Sequence, residues 1–568
     1  MKKLLSLSIL TASSLLAATP NVDAIQKSIS VPKTIEEKSQ ENKTDLIEVG
    51  GVKTYAPMML DDKSGKKLLV KDFLIEGNSH ISNDELNSLL SVYKNKELNF
   101  ADMQNVASII TKEYRNKGYF VARAYLPKQN FQENNGTLKL AVIEGNYGEF
   151  QLTNNSNVKD FIVQNMLDDA KAKDNVVSTD TLERSMLIIN DTPGSVVTQA
   201  DVKPGKEVGT SDFIIETQAT PIYDGYLIAD NHGSKYTGEN RLMSGINLNS
   251  PLQIGDKLSL SGLVSNGNDI KNYKIGYEFP LMSNGLRGQT SYSKTDYNLV
   301  DLGQNTPDDI YDGDTSTIEA GVTYPIIRTR AENLNFSTIY SNKELKDYYD
   351  NAISKDREIN SVKVGLAYTK NQTLFGLDAM TKAETFYTLG KLDINDETSK
   401  NNDKAGVNTQ GTYSKINVNL GSEVLFNPTY SLNTNVKTQY AFKNKNLDGS
   451  EDFSLGGSEG VKVFNDSEQS IENALVFNTE FFAKLPNVSS LSHKVGLFYD
   501  LGTGTMSDSS KDAEFEKRTL QDVGLGYYVN YKSAFAKVQA ARVVGGQDIE
   551  SENVGDNSRI LVQAGFVF

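Results

Sequence analysis

Residues 272–280 read NYKIGYEFP. In an extended chain, side chains alternate between faces, so Tyr273, Ile275, Tyr277 and Phe279 share one face and Lys274, Gly276 and Glu278 the other. The same period of two runs from about Tyr223 to Phe568. It recurs in KLSLSGLVS, STIEAGVTYPII, SVKVGLAYTK, SKINVNLGSEVLF, ALVFNTEFFAKL and LQDVGLGYYVNY, separated by segments rich in Asn, Asp, Gly and Ser. In a last strand, ILVQAGFVF at residues 560–568, Ile560, Val562, Ala564, Phe566 and Phe568 share a face. Such alternation fits a soluble β-sandwich with its apolar face inward, or a membrane barrel with that face toward lipid. At roughly ten residues per strand plus connections of similar total length, the roughly 350 residues from 222 onward hold about 14 to 18 strands. A sandwich that large would split into domains with interrupted texture. Tyr and Phe, 27 and 23 in number, recur near strand ends and stand in for the absent Trp of an interfacial girdle. The barrel reading is therefore preferred.

Composition narrows the function. Zero Cys removes disulfides, thiolate metal sites and a Cys nucleophile. A net charge of -15 argues against nucleic acid as a partner. The three histidines, His80, His232 and His493, are far apart and show no metal-ligand spacing. No metal and no cofactor is implied. The N-terminus, MKKLLSLSILTASSLLAATPNVDA, has a basic start, a short apolar run broken by Ser and Thr, and small residues near Ala18 or Ala24. It reads as a secretory leader over residues 1–24, too short and interrupted to span a bilayer.

Between leader and barrel the texture differs. Residues 25–67 are polar. Then LLVKDFLIEGNSH reads as a strand and ISNDELNSLLSVY as a helix capped at Ser82 or Asn83. NFADMQNVASIITKEYRNKGY is a second helix, capped at Asn99 or Asp102 and stopped by Gly118, and FVARAYLP and GTLKLAVIEG are strands. That makes one small α+β unit over 68–146. A second, over 147–221, has helices in NVKDFIVQNMLDDAK and STDTLERSMLIIND and strands in SVVTQADVKPG and TSDFIIETQA.

One glycine-rich run needs its own reading. GGSEGVKVF, residues 456–464, puts Val461 between Gly460 and Lys462, and no helix follows. It lacks the Gly-Lys-Ser/Thr of a phosphate-binding loop.

Several segments now resemble the outer-membrane transporters of two-partner secretion, the haemolysin/haemagglutinin activator type, in the superfamily of the barrel-assembly insertase. YRNKGYFVARAYLPKQ carries that family's pattern at Tyr114, Gly118, Tyr119, Ala122, Leu126, Pro127 and Gln129, and Glu144-Gly145 matches its strand end. LERSMLIINDTPG carries it at Arg184, Asn190, Asp191, Pro193 and Gly194. ADNHGSKYTGENRL and Gly255-Asp256 resemble the family's first barrel segments. The resemblance implies two POTRA domains (68–146 and 147–221) before a barrel over 222–568 of about 16 antiparallel strands. It implies a lumen-folded loop near 444–470 and a plug helix within 25–48. The loop motif matches at Gly456, Gly457, Val461 and Phe464, with Lys462 where the family has Arg and Val463 where it has Gly. Its wall motif is Phe498, Asp500 and Gly502, which the alternation in HKVGLFYDLG independently turns toward the lumen. A Lys462–Asp500 pair follows, expected to be looser than an Arg–Asp pair, since Lys is a point charge without a bidentate fork.

For function, the resemblance implies a non-enzymatic translocator in the outer membrane, its POTRA domains in the periplasm. It would recognise an exoprotein through the N-terminal secretion domain of that partner and pass it, unfolded and without ATP, through the barrel. Tyr114, Gly118, Tyr119, Pro127, Gln129, Arg184, Pro193 and Gly194 mark the partner-binding POTRA region. Strand edges near Phe120–Leu126 and Leu138–Val142 are candidates for β-augmentation. Phe568 is read as the barrel-assembly signal, with outer-membrane lipid and the assembly machinery as further partners. The alternative is an insertase for other outer-membrane proteins. A passive porin needs no small N-terminal domains, and a barrel hydrolase needs a Ser-His constellation that His232 and His493 do not offer.

Overall fold

The computed structural model describes residues 66–131, 134–300, 310–512, 515–552 and 556–568. The leader and the plug helix expected within 25–48 lie outside the described residues.

The first unit pairs β1 (Leu68–Val70) with β3 (Lys96–Leu98). Beside them β2 (Asp72–Glu76), β5 (Thr137–Ile143) and β4 (Arg123–Tyr125) form a sheet in that order. Helices α1 (Asn83–Leu90) and α2 (Phe100–Asn116) begin where capping chemistry allows. Ser82 accepts from the Glu85 amide, and Asn99 and Asp102 accept each other's backbone N–H reciprocally. Leu86, Leu90, Val106, Ile110 and Tyr114 pack on Phe73, Ile75, Leu138 and Leu140, giving the unit its own core.

The second unit comprises β6 (Asn146–Asn155), α3 (Asp160–Lys173), α4 (Thr179–Asp191), β7 (Val196–Pro204) and β8 (Thr210–Gln218), with sheet order β6-β8-β7. The strand β6 escaped the sequence reading. NYGEFQLTNN is mostly polar, and only Tyr147 in it is buried.

The remainder is a closed antiparallel barrel of sixteen strands, from Tyr223–Asp230 to Ser558–Val567, and those two pair to close it. Phe568 prolongs this seam by exchanging backbone hydrogen bonds with Gly225, at 2.9 and 3.0 Å. A Cβ on Gly225 would stand 2.6 Å from the Phe568 ring, so glycine there makes room for it. The apolar row faces outward: Tyr273, Ile275, Leu497, Leu525 and Ile560 are exposed, as a lipid-facing surface requires. Phe498, Asp500 and Asp522 face inward and are buried. No described helix is long and apolar enough to cross a membrane; the strands cross it instead.

Four neighbouring strands, Tyr311–Arg328, Glu332–Tyr349, Ala352–Leu374 and Leu377–Ile394, run to 18, 18, 23 and 18 residues. About 9–11 residues suffice to span a bilayer. The excess projects on the side away from the α+β units. There Asp350 and Asn351, both at positive φ, make a two-residue hairpin turn, and α5 (Glu397–Ala405) follows the fourth strand.

Candidate gating site in the barrel lumen

The loop joining strands Tyr430–Ala441 and Asn473–Lys484 turns into the lumen. Its limbs are zipped where Phe453 pairs with Ile471 and Ser454 with Ser470. The tip folds on itself: Val461 N donates to Leu455 O (2.9 Å), Gly457 N to Phe464 O (2.8 Å) and Gly460 N to Gly457 O (3.0 Å). Gly457 has φ +92°, and a Cβ there would sit 1.5 Å from the Asp466 carboxylate. Compact turn geometry, not phosphate binding, accounts for the glycines of GGSEG.

An apolar cluster seats the tip. Leu455, Val461, Val463, Phe464 and Ile471 pack on Val476, Phe498 and Leu520 of the wall. Gly502 permits the approach, since a Cβ on it would lie 3.0 Å from Val461 Cγ2. Val463, one of the two departures from the family motif, is buried in this cluster.

Lys462 crosses from this cluster to the wall. Its Nζ lies 2.7 Å from Asp500 Oδ2 and 4.4 Å from the Phe498 ring centroid. Asp500 is fully buried, and its other oxygen accepts from Asn478 Nδ2 at 2.7 Å; the same amide donates to Gly460 O. Asp522, opposite Asp500 across the ladder, accepts from Val463 N at 2.7 Å. Asp522 Oδ1 is buried with no donor among the described residues. The looseness expected of Lys is therefore not one of distance, because 2.7 Å is a normal charge-assisted contact. What Lys lacks is the second donor nitrogen of a planar fork. Beneath the tip lies a cavity of about 240 Å³, lined by Lys462, Asp500, Glu480, Lys494, Tyr528 and Lys537 among others.

Sequence reasoning missed the anchors on the loop's limbs. Asp448 meets Arg357 at 2.7 Å, and Glu451 lies between Lys343 (3.0 Å) and Lys415 (2.9 Å). On the return limb Glu468 meets Arg518 at 2.6 Å and accepts from Ser551 Oγ. These carboxylates reverse the polarity of the tip, where the loop supplies the cation. Alternation would have turned Lys343 and Lys415 inward, but no local pattern names a partner 108 residues from the first and 36 from the second.

The α+β residues resolve differently. Tyr114 is fully buried and donates to Glu144 Oε1 at 2.7 Å, so it cannot touch a partner directly. Burial opposes the charge on Glu144, but donors from Ser79, His80 and Tyr114 outweigh it and hold the carboxyl down at about 2. His80 bridges Glu144 (2.8 Å) and Asp174 of the second unit (3.1 Å). Those carboxylates outweigh its burial and raise its pKa above the ordinary 6.5. Tyr119 packs between His80 and Tyr114. Gly118, at φ +90°, ends α2 and accepts from Thr179. The Gln129 amide donates to Pro127 O and Lys139 O and accepts from Lys139 N. That corrects one candidate edge. Residues 138–142 belong to the central strand, flanked by β2 and by β4 with Gln129, so the edge strands of this sheet are β2 and β4, and the outward Ala124 N–H of β4 is taken by Thr111 Oγ1. Arg184, Pro193 and Gly194 lie at the seam with the barrel. Arg184 is buried there, so it forms no part of an exposed partner-binding face. His232 lies 3.5 Å from Asp230, and His493 contacts Tyr527 OH.

Comparison with known proteins agrees with this geometry. The family model described as "Haemolysin secretion/activation protein ShlB/FhaC/HecB" matches residues 209–527, and "POTRA domain, ShlB-type" matches 68–145. The heme/hemopexin transporter protein HuxB of Haemophilus influenzae (strain 86-028NP) is 29% identical over 467 residues, 82% of this chain and 81% of that protein. The outer membrane transporter CdiB of Dickeya dadantii (strain 3937) is 21% identical over 439 residues, 76% of this chain and 75% of its own. Among solved structures, CdiB from Escherichia coli superposes with TM-score 0.76 at 20% identity, covering 96% of this chain and 98% of that one. BamA from Haemophilus ducreyi, lacking POTRA domains 1–3, gives 0.50 at 13% identity, covering 88% and 100%. At these identities the structures speak for fold alone.

Proposed function

The chain belongs to the haemolysin secretion/activation protein family ShlB/FhaC/HecB, an outer-membrane transporter family whose POTRA domains face the periplasm, and from that premise we propose its finer role. It secretes one large exoprotein of haemolysin, haemagglutinin or adhesin type, unfolded and without ATP, after capturing its N-terminal secretion domain on the POTRA units. The loop seated in the lumen by Lys462–Asp500 is the observation that carries this reading. A pore filled by a detachable loop suits intermittent passage of a chain better than steady diffusion of solutes.

Size supports the unfolded state. Sixteen tilted strands at ~4.8 Å spacing enclose a cylinder of roughly 30 Å between backbones, and side chains narrow it to roughly 20 Å. A folded 100-residue domain, with a radius of gyration of about 13 Å, does not fit. Folding of exported segments outside would prevent their return and so give direction. The edge of β2 suits strand addition by the partner better than that of β4, whose outward Ala124 N–H is taken by Thr111.

Deletion of the gene tests the reading: one large protein disappears from the surface and medium while other outer-membrane proteins stay at normal levels. Broad loss of barrels would overturn it in favour of the insertase. Secretion by the protein in nucleotide-free vesicles tests the absence of an ATP requirement.

A further inference from the structure

Helix α4 of the second unit meets the barrel through Arg184, whose guanidinium is held by backbone carbonyls. The Arg184 guanidinium donates to Pro325 O, to Asn284 O at 3.3 Å and to Ile326 O at 3.4 Å, and lies 5.7 Å from the Tyr324 ring centroid. A planar fork, its donors spread over two nitrogens and fixed in direction, suits these carbonyls better than a point charge on a flexible stem. At the end of α4, Asp191 accepts two N–H groups of Arg328, at 2.5 and 2.8 Å. Glu183 accepts the Arg330 amide at 3.0 Å. The unit also grips another turn: Ser250 Oγ donates to Asn157 O and Lys159 N to Gln253 O. Gly194, at φ +92°, lets the chains close up, as a Cβ on it would lie 2.6 Å from Ser250 Cβ. Three barrel turns on one rim are thus held by α4, by Gly194 after it and by the residues just before α3.

We propose that Arg184 is a positioning residue. It fixes the second POTRA unit in one orientation against the periplasmic turns, and that orientation is required to hand the exported chain to the lumen. The second half of this statement rests on the secretion function proposed above; the first does not.

The chain contains no Cys, so introduced cysteines are the sole labelling sites. Spin labels at V208C and V488C, both at well-exposed positions, report the distance between the second unit and the rim in the full-length protein in vesicles. The wild-type background gives one narrow distance distribution. R184A broadens it at least twofold and cuts secretion of the partner at least tenfold, with unchanged outer-membrane level and heat-modifiable migration. R184K, reaching fewer carbonyls, falls between. D191N, which weakens the Arg328 contact, broadens the distribution independently and serves if R184A fails to assemble. A broad wild-type distribution, or R184A and D191N distributions as narrow as wild type, overturns the orientation claim. Broadened distributions with full secretion overturn the hand-over claim alone. If no partner is secreted even by the wild type, the function fails while the distance result still decides the orientation.

Discussion

Replacing Lys462 by Met and Asp500 by Asn should not be equivalent, although both remove the same contact. In K462M, Asp500 stays buried with Asn478 as its remaining donor and Asp522 opposite it. Leaving one partner of a buried pair uncompensated costs about 3–5 kcal/mol. The cavity of about 240 Å³ beneath the tip, roomy enough to admit water, places this case at the lower end, about 3 kcal/mol, or roughly 150-fold in the closed-to-open ratio. In D500N, Lys462 keeps the Phe498 ring at 4.4 Å. It also keeps the Asp522 carboxylate nearby, so the cost is about 1–2 kcal/mol, roughly five- to thirty-fold. The double variant removes both charges and should be milder than K462M alone, giving a coupling of about 2 kcal/mol. Single-channel recording in planar bilayers measures the open fraction for each. Equal effects of the two singles would refute the asymmetry, and additivity within about 0.5 kcal/mol would refute a direct pair. The reversed pair, K462D with D500K, should restore part of the closed state.

Four further outcomes concern the loop tip, its limb anchors and the POTRA junction. Lys462→Arg supplies a donor for Asp522 Oδ1 and should lower the open fraction roughly three- to tenfold, since a satisfied buried acceptor contributes about 1 kcal/mol. Glu451→Gln leaves Lys343 and Lys415 without their carboxylate and should raise the open fraction at least as much as K462M, by the same recordings. His80 has a raised folded pKa, so its ties to Glu144 and Asp174 stabilise fully below about 6.5 and are lost as pH rises through the folded value. Hydrogen-exchange protection factors at the junction of the POTRA units, taken relative to the intrinsic rate at each pH, should therefore fall from pH 6 to 8, and H80Q should abolish that fall. Glu144 has the opposite sign: its contribution is present above about 4.5 and fades as pH falls toward about 2, so E144Q should flatten acid unfolding of the first unit.

The sequence by itself determined the barrel, because period-two alternation sustained over hundreds of residues has few other solutions. It also determined the helices of both small units, whose caps at Ser82, Asn99 and Ser178 are local hydrogen bonds. Lys462 and Asp500 were legible through a motif and an inward register. The rest needed the closed structure. The polar strand β6 is held by its neighbour β8 rather than by its own pattern. Gln129 fills a gap beside the central strand, and the residues at Arg184 read as a partner-binding surface until the barrel turns came to lie against them. The limb anchors join Glu451 to Lys343 and Glu468 to Arg518 across the lumen. Periodicity and capping are written in neighbouring residues, whereas a buried ion pair belongs to two distant segments. Only the closing of sixteen strands around the loop brings such segments within hydrogen-bond reach.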